Sequence, residues 1–426
     1  MPQSDFIYPI SNKTLLRKGD TLSYIYKGLV FIFILSTIFD PADHVFGLKV
    51  PLFLACWGVG GLLVLMRDRS AAIPLNLLIY VLLMLIIPLA SILNYFISGG
   101  GQPFEGFLLL KSYFLPSFAI LLYVTRLDAI KYLTFGLTIM ALLIVIISII
   151  IFINPEMFMP FYHLGMDTKI FSLDTRDYGD GKIYFQIYFV VSSMLVIPIA
   201  YYFDKWHSLK SKRTFYFILL ALCIFAMFKS GTRNNMIISI LLPSILLFYY
   251  SRYRVISAIL LILVIAIFAG IFSESIIAFF DPSEPSNSWK LGFFKEYLRI
   301  FNEFSFSNVL FGQGLGSYET WSLRGDKFIT ELTYFEVFRN FGLLMGLVML
   351  ILMIYPIIYT FIIRPSYKDK HIIIAYAAYL VMSIANPLFF SSTGMLIFAI
   401  ILANISIFNS DFKKFHSSMF QTKQKD

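Results

Sequence analysis

Residues 129–153 read AIKYLTFGLTIMALLIVIISIIIFI. After Lys131 no charged side chain occurs until Glu156. About 20 apolar residues, rising about 1.5 Å each, cross the hydrocarbon core of a bilayer. The stretch therefore reads as a membrane-spanning helix. The chain around it has the same character. Of its 426 residues 58% are hydrophobic and 14% charged, against roughly 25% charged in an ordinary soluble domain. Phe alone occurs 46 times, and the mean hydropathy is +0.78. This composition excludes a disordered chain, a secreted disulfide scaffold and a soluble enzyme. It leaves a polytopic membrane protein. Cys56 and Cys223 both lie inside apolar runs and read as small buried hydrophobes.

Working outward from 129–153, about twelve such stretches are expected. They lie near 22–39, 45–66, 73–97, 104–124, 129–153, 183–203, 213–228, 234–250, 255–273, 333–363, 371–390 and 393–408. The expected fold is an all-α integral membrane protein with one polytopic domain over 1–426. Twelve spans put both termini on one side. That side then receives more than half of the 34 Lys and Arg residues, among them Arg67, Arg126, Lys131, Lys210, Lys212, Arg252 and Lys368. Short cationic loops face the cytoplasm, so both termini are expected there. Orientation accounts for most of the +9 net charge, and no nucleic-acid partner is expected. Two long segments, about 154–182 and 274–332, face outward. Long loops in compact folds usually carry function, and both read as folded caps over an outward-facing site.

The polar chemistry gathers on that face. KSGTRNN, 229–235, is a short outward hairpin that carries Lys229 and Arg233 against the positive-inside trend. Arg233 also begins a helix, where the dipole disfavours a cation. A compensating anion explains both placements; snorkelling to the interface is the plain alternative. FSLDTRDYGDGK, 171–182, carries Arg176 among Asp174, Asp177 and Asp180. The acids fail the EF-hand spacing, so no metal is expected. A surface ion pair is the plain reading of Arg176. SWKLGFFKEYLRIFNEF, 288–304, is an amphipathic helix carrying Arg299. It either lies in the membrane interface, its basic face toward anionic headgroups, or packs on the bundle. FGQGLGSYETW, 311–321, alternates Gly312, Gly314 and Gly316 before Tyr318 and Trp321. It is neither a dinucleotide fingerprint nor a P-loop. Such glycines allow tight turns and close backbone approach to a ligand. Glu331, Glu336 and Arg339 stand at the outer start of the tenth span, with Glu336 and Arg339 spaced as a helix-surface pair. Lys111 lies deep in the fourth span and needs a partner or a wet cavity. The five histidines are scattered, and no cofactor is expected.

Arginine grips phosphate through two parallel hydrogen bonds. Outer-face arginines under a loop cap suit a lipid-linked pyrophosphate, with Tyr318, Trp321 and Tyr334 suited to sugar faces. A carboxylate would accept the proton of an attacking sugar hydroxyl.

At this level the chain resembles the superfamily of bacterial O-antigen polymerases and O-antigen ligases. SGTR at 230–233 resembles the family's Ser-x-x-Arg at an outer helix boundary. Arg176-x-x-Gly179 resembles its loop arginine before a helix. The stretch from Arg299 through FGQGLGSY resembles its arginine helix and Gly-x-Gly loop. ELTYFEVFRNFGLLMG, 331–346, resembles the signature entering a late span, with Gly342 and Gly346 at its end. The ligase branch carries a histidine eleven residues before that first glycine. Here the position holds Glu331, which favours a polymerase.

The resemblance implies a GT-C-like bundle in the bacterial cytoplasmic membrane and an inverting, metal-independent transfer. A glycan leaves undecaprenyl pyrophosphate and joins a new lipid-linked repeat unit of O-antigen, capsule or exopolysaccharide. A flippase and a chain-length regulator are implied partners. Arg176 and Arg233 are expected on the pyrophosphate, with Arg299 a third. Gly312, Gly314 and Gly316 are expected to shape the acceptor loop, and Glu331 to act as base. Lys229, Tyr318, Glu336 and Arg339 are expected to contact substrate. The rivals are a ligase that moves finished polymer, a twelve-span flippase, which would place ionisable groups at the midplane, and a non-catalytic scaffold.

Overall fold

The structure is a computed structural model. It describes residues 21–66, 73–98, 103–177, 183–271, 285–317, 319–321, 325–327, 332–364 and 367–423. Helices α1 (Thr21–Phe39), α2 (Lys49–Leu65), α3 (Leu75–Ile97), α4 (Pro103–Tyr113), α5 (Phe118–Thr125) and α6 (Ala129–Ile153) lead into α7 (Phe158–Thr168). Strands β1 (Phe171–Asp177) and β2 (Ile183–Phe189) follow. Then come α8 (Val196–Ser208), α9 (Arg213–Lys229), α10 (Arg233–Tyr250) and α11 (Arg254–Ile271). Next are α12 (Pro285–Asn302), α13 (Phe306–Phe311), β3 (Glu319–Trp321) and β4 (Gly325–Lys327). The chain closes with α14 (Thr333–Ile358), α15 (Lys370–Met382) and α16 (Ser392–Lys423).

Among the described residues six helical segments are long and apolar enough to cross a membrane: Thr21–Phe39, Leu75–Ile97, Phe104–Thr125, Ala129–Ile153, Thr333–Ile363 and Ser392–Asn409. Lys49–Leu65 and Lys370–Met382 are apolar but shorter. Large apolar side chains on these helices stand outward, with Leu65 78%, Ile97 81% and Phe152 82% exposed. Surfaces of that kind need a hydrocarbon surrounding rather than water. Inward, Tyr26, Phe33, Leu122, Leu137, Tyr376 and Ile397 belong to one continuous buried core.

Three sequence expectations change. The span expected at 183–203 begins as a strand. Ile183-Tyr-Phe-Gln-Ile-Tyr-Phe189 is aromatic or β-branched at every position but Gln186, which suits a pleated half-buried surface. It pairs antiparallel with β1, Phe171 opposite Phe189 and Asp177 opposite Ile183. Helix starts only after Ser192. With β3–β4, the chain is a helical bundle that carries two small hairpins, both in or bordering the segments read as outer caps. Secondly, the span expected at 104–124 is there, as Phe104–Thr125, but it is broken within. Pro116 lies in a 3-10 turn between α4 and α5, since a proline inside a helix removes a backbone donor. Lys111 falls in the last turn of α4, with its side chain on the outside of the bundle rather than in its core. Thirdly, α14 is two helices joined at Gly342, whose φ is +67°.

Candidate functional site

The 229–235 turn is held by its own polar side chains. Thr232 caps α10, its hydroxyl accepting from the Asn235 backbone N–H at 3.3 Å. Asn235 is fully buried. Its amide donates to the Ser230 hydroxyl at 2.8 Å, and its carbonyl accepts from Ser193 at 2.9 Å. Gly231 has φ +72°, a conformation that favours glycine. The space its Cβ would take is filled by the Gln186 side chain of β2. Gln186 in turn donates to Asp174 of β1 at 3.3 Å.

Two cations meet this assembly. Lys229 Nζ donates to the Phe185 carbonyl at 3.2 Å and lies 3.7 Å from the centroid of the Phe185 ring. Arg233 Nη1 donates to Asn287 Oδ1, in the first turn of α12, at 2.8 Å. Arg176 enters through the backbone. It pairs with Tyr184, one register step beyond the Thr175–Phe185 pair. Three segments far apart in sequence thus converge: the β1–β2 hairpin, the 229–235 turn and the start of α12. Such a site suits an anion, because guanidinium and ammonium groups make charge-assisted hydrogen bonds to phosphate oxygens.

The second polar cluster is buried at the start of α14. Arg339 is 0% exposed. It pairs with Glu336 through Nη2–Oε1 at 2.5 Å and Nε–Oε2 at 3.1 Å. Nη1 reaches Gln313 at 3.2 Å and the Ser317 hydroxyl at 2.8 Å. Tyr297 of α12 donates to Glu336 Oε2 at 2.5 Å, and Asn340 to Oε1 at 3.0 Å. The pair expected on a helix surface is therefore an internal one. The reason is the glycine loop, which folds over it. Gly312, Gly314 and Gly316 have φ of +76°, +97° and +97°. A Cβ at Gly312 would run into the Asn340 backbone, and one at Gly342 into Gly312 and Phe311. Ser91 of α3 completes the lock, donating to the Asn340 carbonyl at 2.7 Å and accepting from Leu315 N–H at 2.8 Å. These glycines, expected to shape the acceptor loop, let that loop pack closely against its neighbours.

Arg299 is directed to carboxylates of its own helix, Glu296 at 3.0 Å and Glu303 at 3.1 Å. Helix α12 buries Phe293, Tyr297 and Ile300 with Leu332 and Phe335, while Phe294 and Leu298 stay exposed. Glu331 and Tyr318 lie outside the described residues. Tyr334 donates to the Leu380 carbonyl at 2.9 Å. Among the described residues no group of three His, Cys, Asp or Glu side chains is placed to hold a metal.

Sequence reading missed Gln186, Asn287, Tyr297 and Asn340. Gln186 had a signal, as the lone polar residue in an aromatic strand. Asn287 had none, because its role depends on where α12 begins. No protein-family model matches the chain, and no curated protein matches it.

Proposed function

We propose that this protein polymerises lipid-linked oligosaccharide repeat units at the outer face of the bacterial cytoplasmic membrane, with both termini cytoplasmic. The observation that carries the reading is the docking of the 229–235 turn on the β1–β2 hairpin. It sets Lys229, with Arg233 four residues on, against β2 of the hairpin whose other strand holds Arg176.

In the proposed reaction an acceptor sugar hydroxyl attacks the anomeric carbon of the donor glycan. The new glycosidic C–O bond forms as the bond to the pyrophosphate oxygen breaks. Arg233 and Arg176 meet the charge that develops on the leaving pyrophosphate, an electrostatic role that grows in the transition state. A carboxylate takes the hydroxyl proton, and Glu331 is the residue assigned to it by resemblance. The buried Glu336 is committed to Arg339, Tyr297 and Asn340 and serves as framework.

The test is glycan length in a strain lacking the protein, complemented with wild type or Arg233→Ala. Wild type restores a ladder. Arg233→Ala gives single repeat units while the protein stays in the membrane at normal level. A normal ladder from that variant sinks the assignment. An intact ladder held on the carrier lipid in the deletion strain points to a ligase instead.

A further inference from the structure

Helix α12 carries two apolar faces. Phe293, Tyr297 and Ile300 form the one that packs inward. Leu291, Phe294 and Leu298 form the other. They recur at i, i+3 and i+7, one stripe of a helix, and all three are exposed. Lys295 lies one turn from both Leu291 and Leu298 and is exposed as well. The short α13 adds Phe306, 80% exposed, and the exposed Val309 one turn on. So much apolar surface on two short helices calls for a cover.

The contacts of these helices fix their level on the bundle. The backbone of Phe311, at the end of α13, lies against Gly342 of α14. The next residues of α14, Leu343 and Leu344, are exposed on the bundle surface. The glycine loop after α13 meets α3 at Ser91, Asn94 and Tyr95, where Leu93, Phe96 and Ile97 stand outward. Helix α13 is therefore level with the ends of two lipid-facing surfaces. Helix α12 meets α14 at Glu336 through Tyr297, about 9 Å from Gly342 along the helix. The segment Thr333–Ile363 has 31 residues, about 46 Å of helix against about 30 Å of hydrocarbon. Its length leaves room for α12 at headgroup depth.

We infer that α12 and α13 form a membrane-interface element. Leu291, Phe294, Leu298 and Phe306 enter the acyl region of the adjacent leaflet, and Lys295 meets the phospholipid phosphates at its edge. A helix lying in the interface buries its apolar face about 5–10 Å into the headgroup–acyl boundary, and a lysine beside that face extends its ammonium to the headgroups. Continuity selects lipid over a second protein, because the exposed apolar surface runs on down α14 through Leu347 and Ile351. Each of the two sequence readings of 288–304 then describes one face of the helix. The consequence reaches the polar site. Asn287, in the first turn of α12, accepts from Arg233, so the leaflet that seats α12 also sets the depth of Arg233. The inference needs a bilayer but neither a particular side of it nor a reaction, and it stands apart from the proposed function.

The test uses the full chain in nanodiscs of phosphatidylcholine and phosphatidylglycerol. Single cysteines carry a nitroxide in a Cys56→Ala, Cys223→Ala background, both native thiols being buried. Collision with oxygen, which concentrates in the acyl layer, is compared with collision with a nickel chelate, which stays in water. The oxygen-to-nickel ratio at Leu298→Cys and Phe306→Cys should exceed that at Glu303→Cys, exposed on the polar side of α12, by about threefold or more. It should approach the ratio at Ile97→Cys, on the lipid-facing end of α3. Equal ratios at Leu298, Phe306 and Glu303 place the stripe in water and overturn the inference. Low collision rates with both reagents at Leu298 and Phe306 place protein over the stripe and overturn it too. If the background or the label disturbs folding, the unmodified protein decides. Phosphatidylcholine with a diazirine near the carbonyl end of an acyl chain should label peptides within 291–309, and no insertion there overturns the inference. Neither arm measures polymer. A working polymerase with its stripe in water would refute this element and leave the function standing; a lipid-seated stripe on a protein without polymerase activity would do the reverse.

Discussion

The 229–235 turn and the glycine-loop lock are both polar clusters built around an arginine, and they differ in what surrounds the charge. Arg339 is wholly enclosed, with a carboxylate, an amide and a serine hydroxyl on its guanidinium. Arg233 is half-buried and meets an asparagine from a different element. Lys229 meets a carbonyl and a ring face. An enclosed cation with its own carboxylate is already neutralised and gains little from a further anion. Lys229 and Arg233 are only partly buried, so an incoming anion can reach them. The difference separates framework from binding site more sharply than residue type does.

The largest effect that breaks this contrast is expected at Arg339. Arg339→Ala leaves Glu336 buried without its counter-charge, which costs about 3–5 kcal/mol. The variant should fail to accumulate as a folded, monodisperse protein, whereas Arg233→Ala should purify like wild type and lose only polymer. If Arg339→Ala gives normal yield and thermal stability but no polymer, the lock belongs to the reaction and the contrast fails. A smaller loss is expected at Gly342. Alanine there meets both an unfavourable φ of +67° and the Gly312 and Phe311 backbone. Strain of this sort costs about 1–3 kcal/mol, read as a lowered unfolding midpoint with the polymer ladder kept in whatever protein folds.

The membrane class was legible because composition and long apolar runs report directly on burial in lipid. The helix 129–153 appears in the structure with those bounds. The strand at 183–189 was not legible as such. Its apolar run is equally a helix or a buried strand until a partner is known, and that partner, β1, is a separate segment ending at Asp177. For the site, Lys229 and Arg233 stood out because each broke a local rule. The Glu336–Arg339 spacing was legible as a pair, but its burial was not. Enclosure comes from Gly312–Ser317 folding back over α14 and from Ser91 on α3, contacts that no local pattern encodes.

The smallest expected effect sharpens the contrast from a third arginine. Arg299 was a candidate beside the other two in sequence, on an amphipathic helix of the 274–332 segment. Its side chain is 46% exposed and shared between Glu296 and Glu303. Exposed pairs of this kind contribute about 0.2–1 kcal/mol and are screened by salt. Because its charge is met locally by carboxylates, it should behave neither as framework nor as ligand. Arg299→Ala should shift the unfolding midpoint only slightly, less at high salt than at low, and leave the ladder unchanged. Loss of polymer with that stability profile would mean that Arg299 exchanges its carboxylates for substrate. Neutralisation by neighbours would then no longer be a sound way to tell a structural arginine from a binding one in this protein.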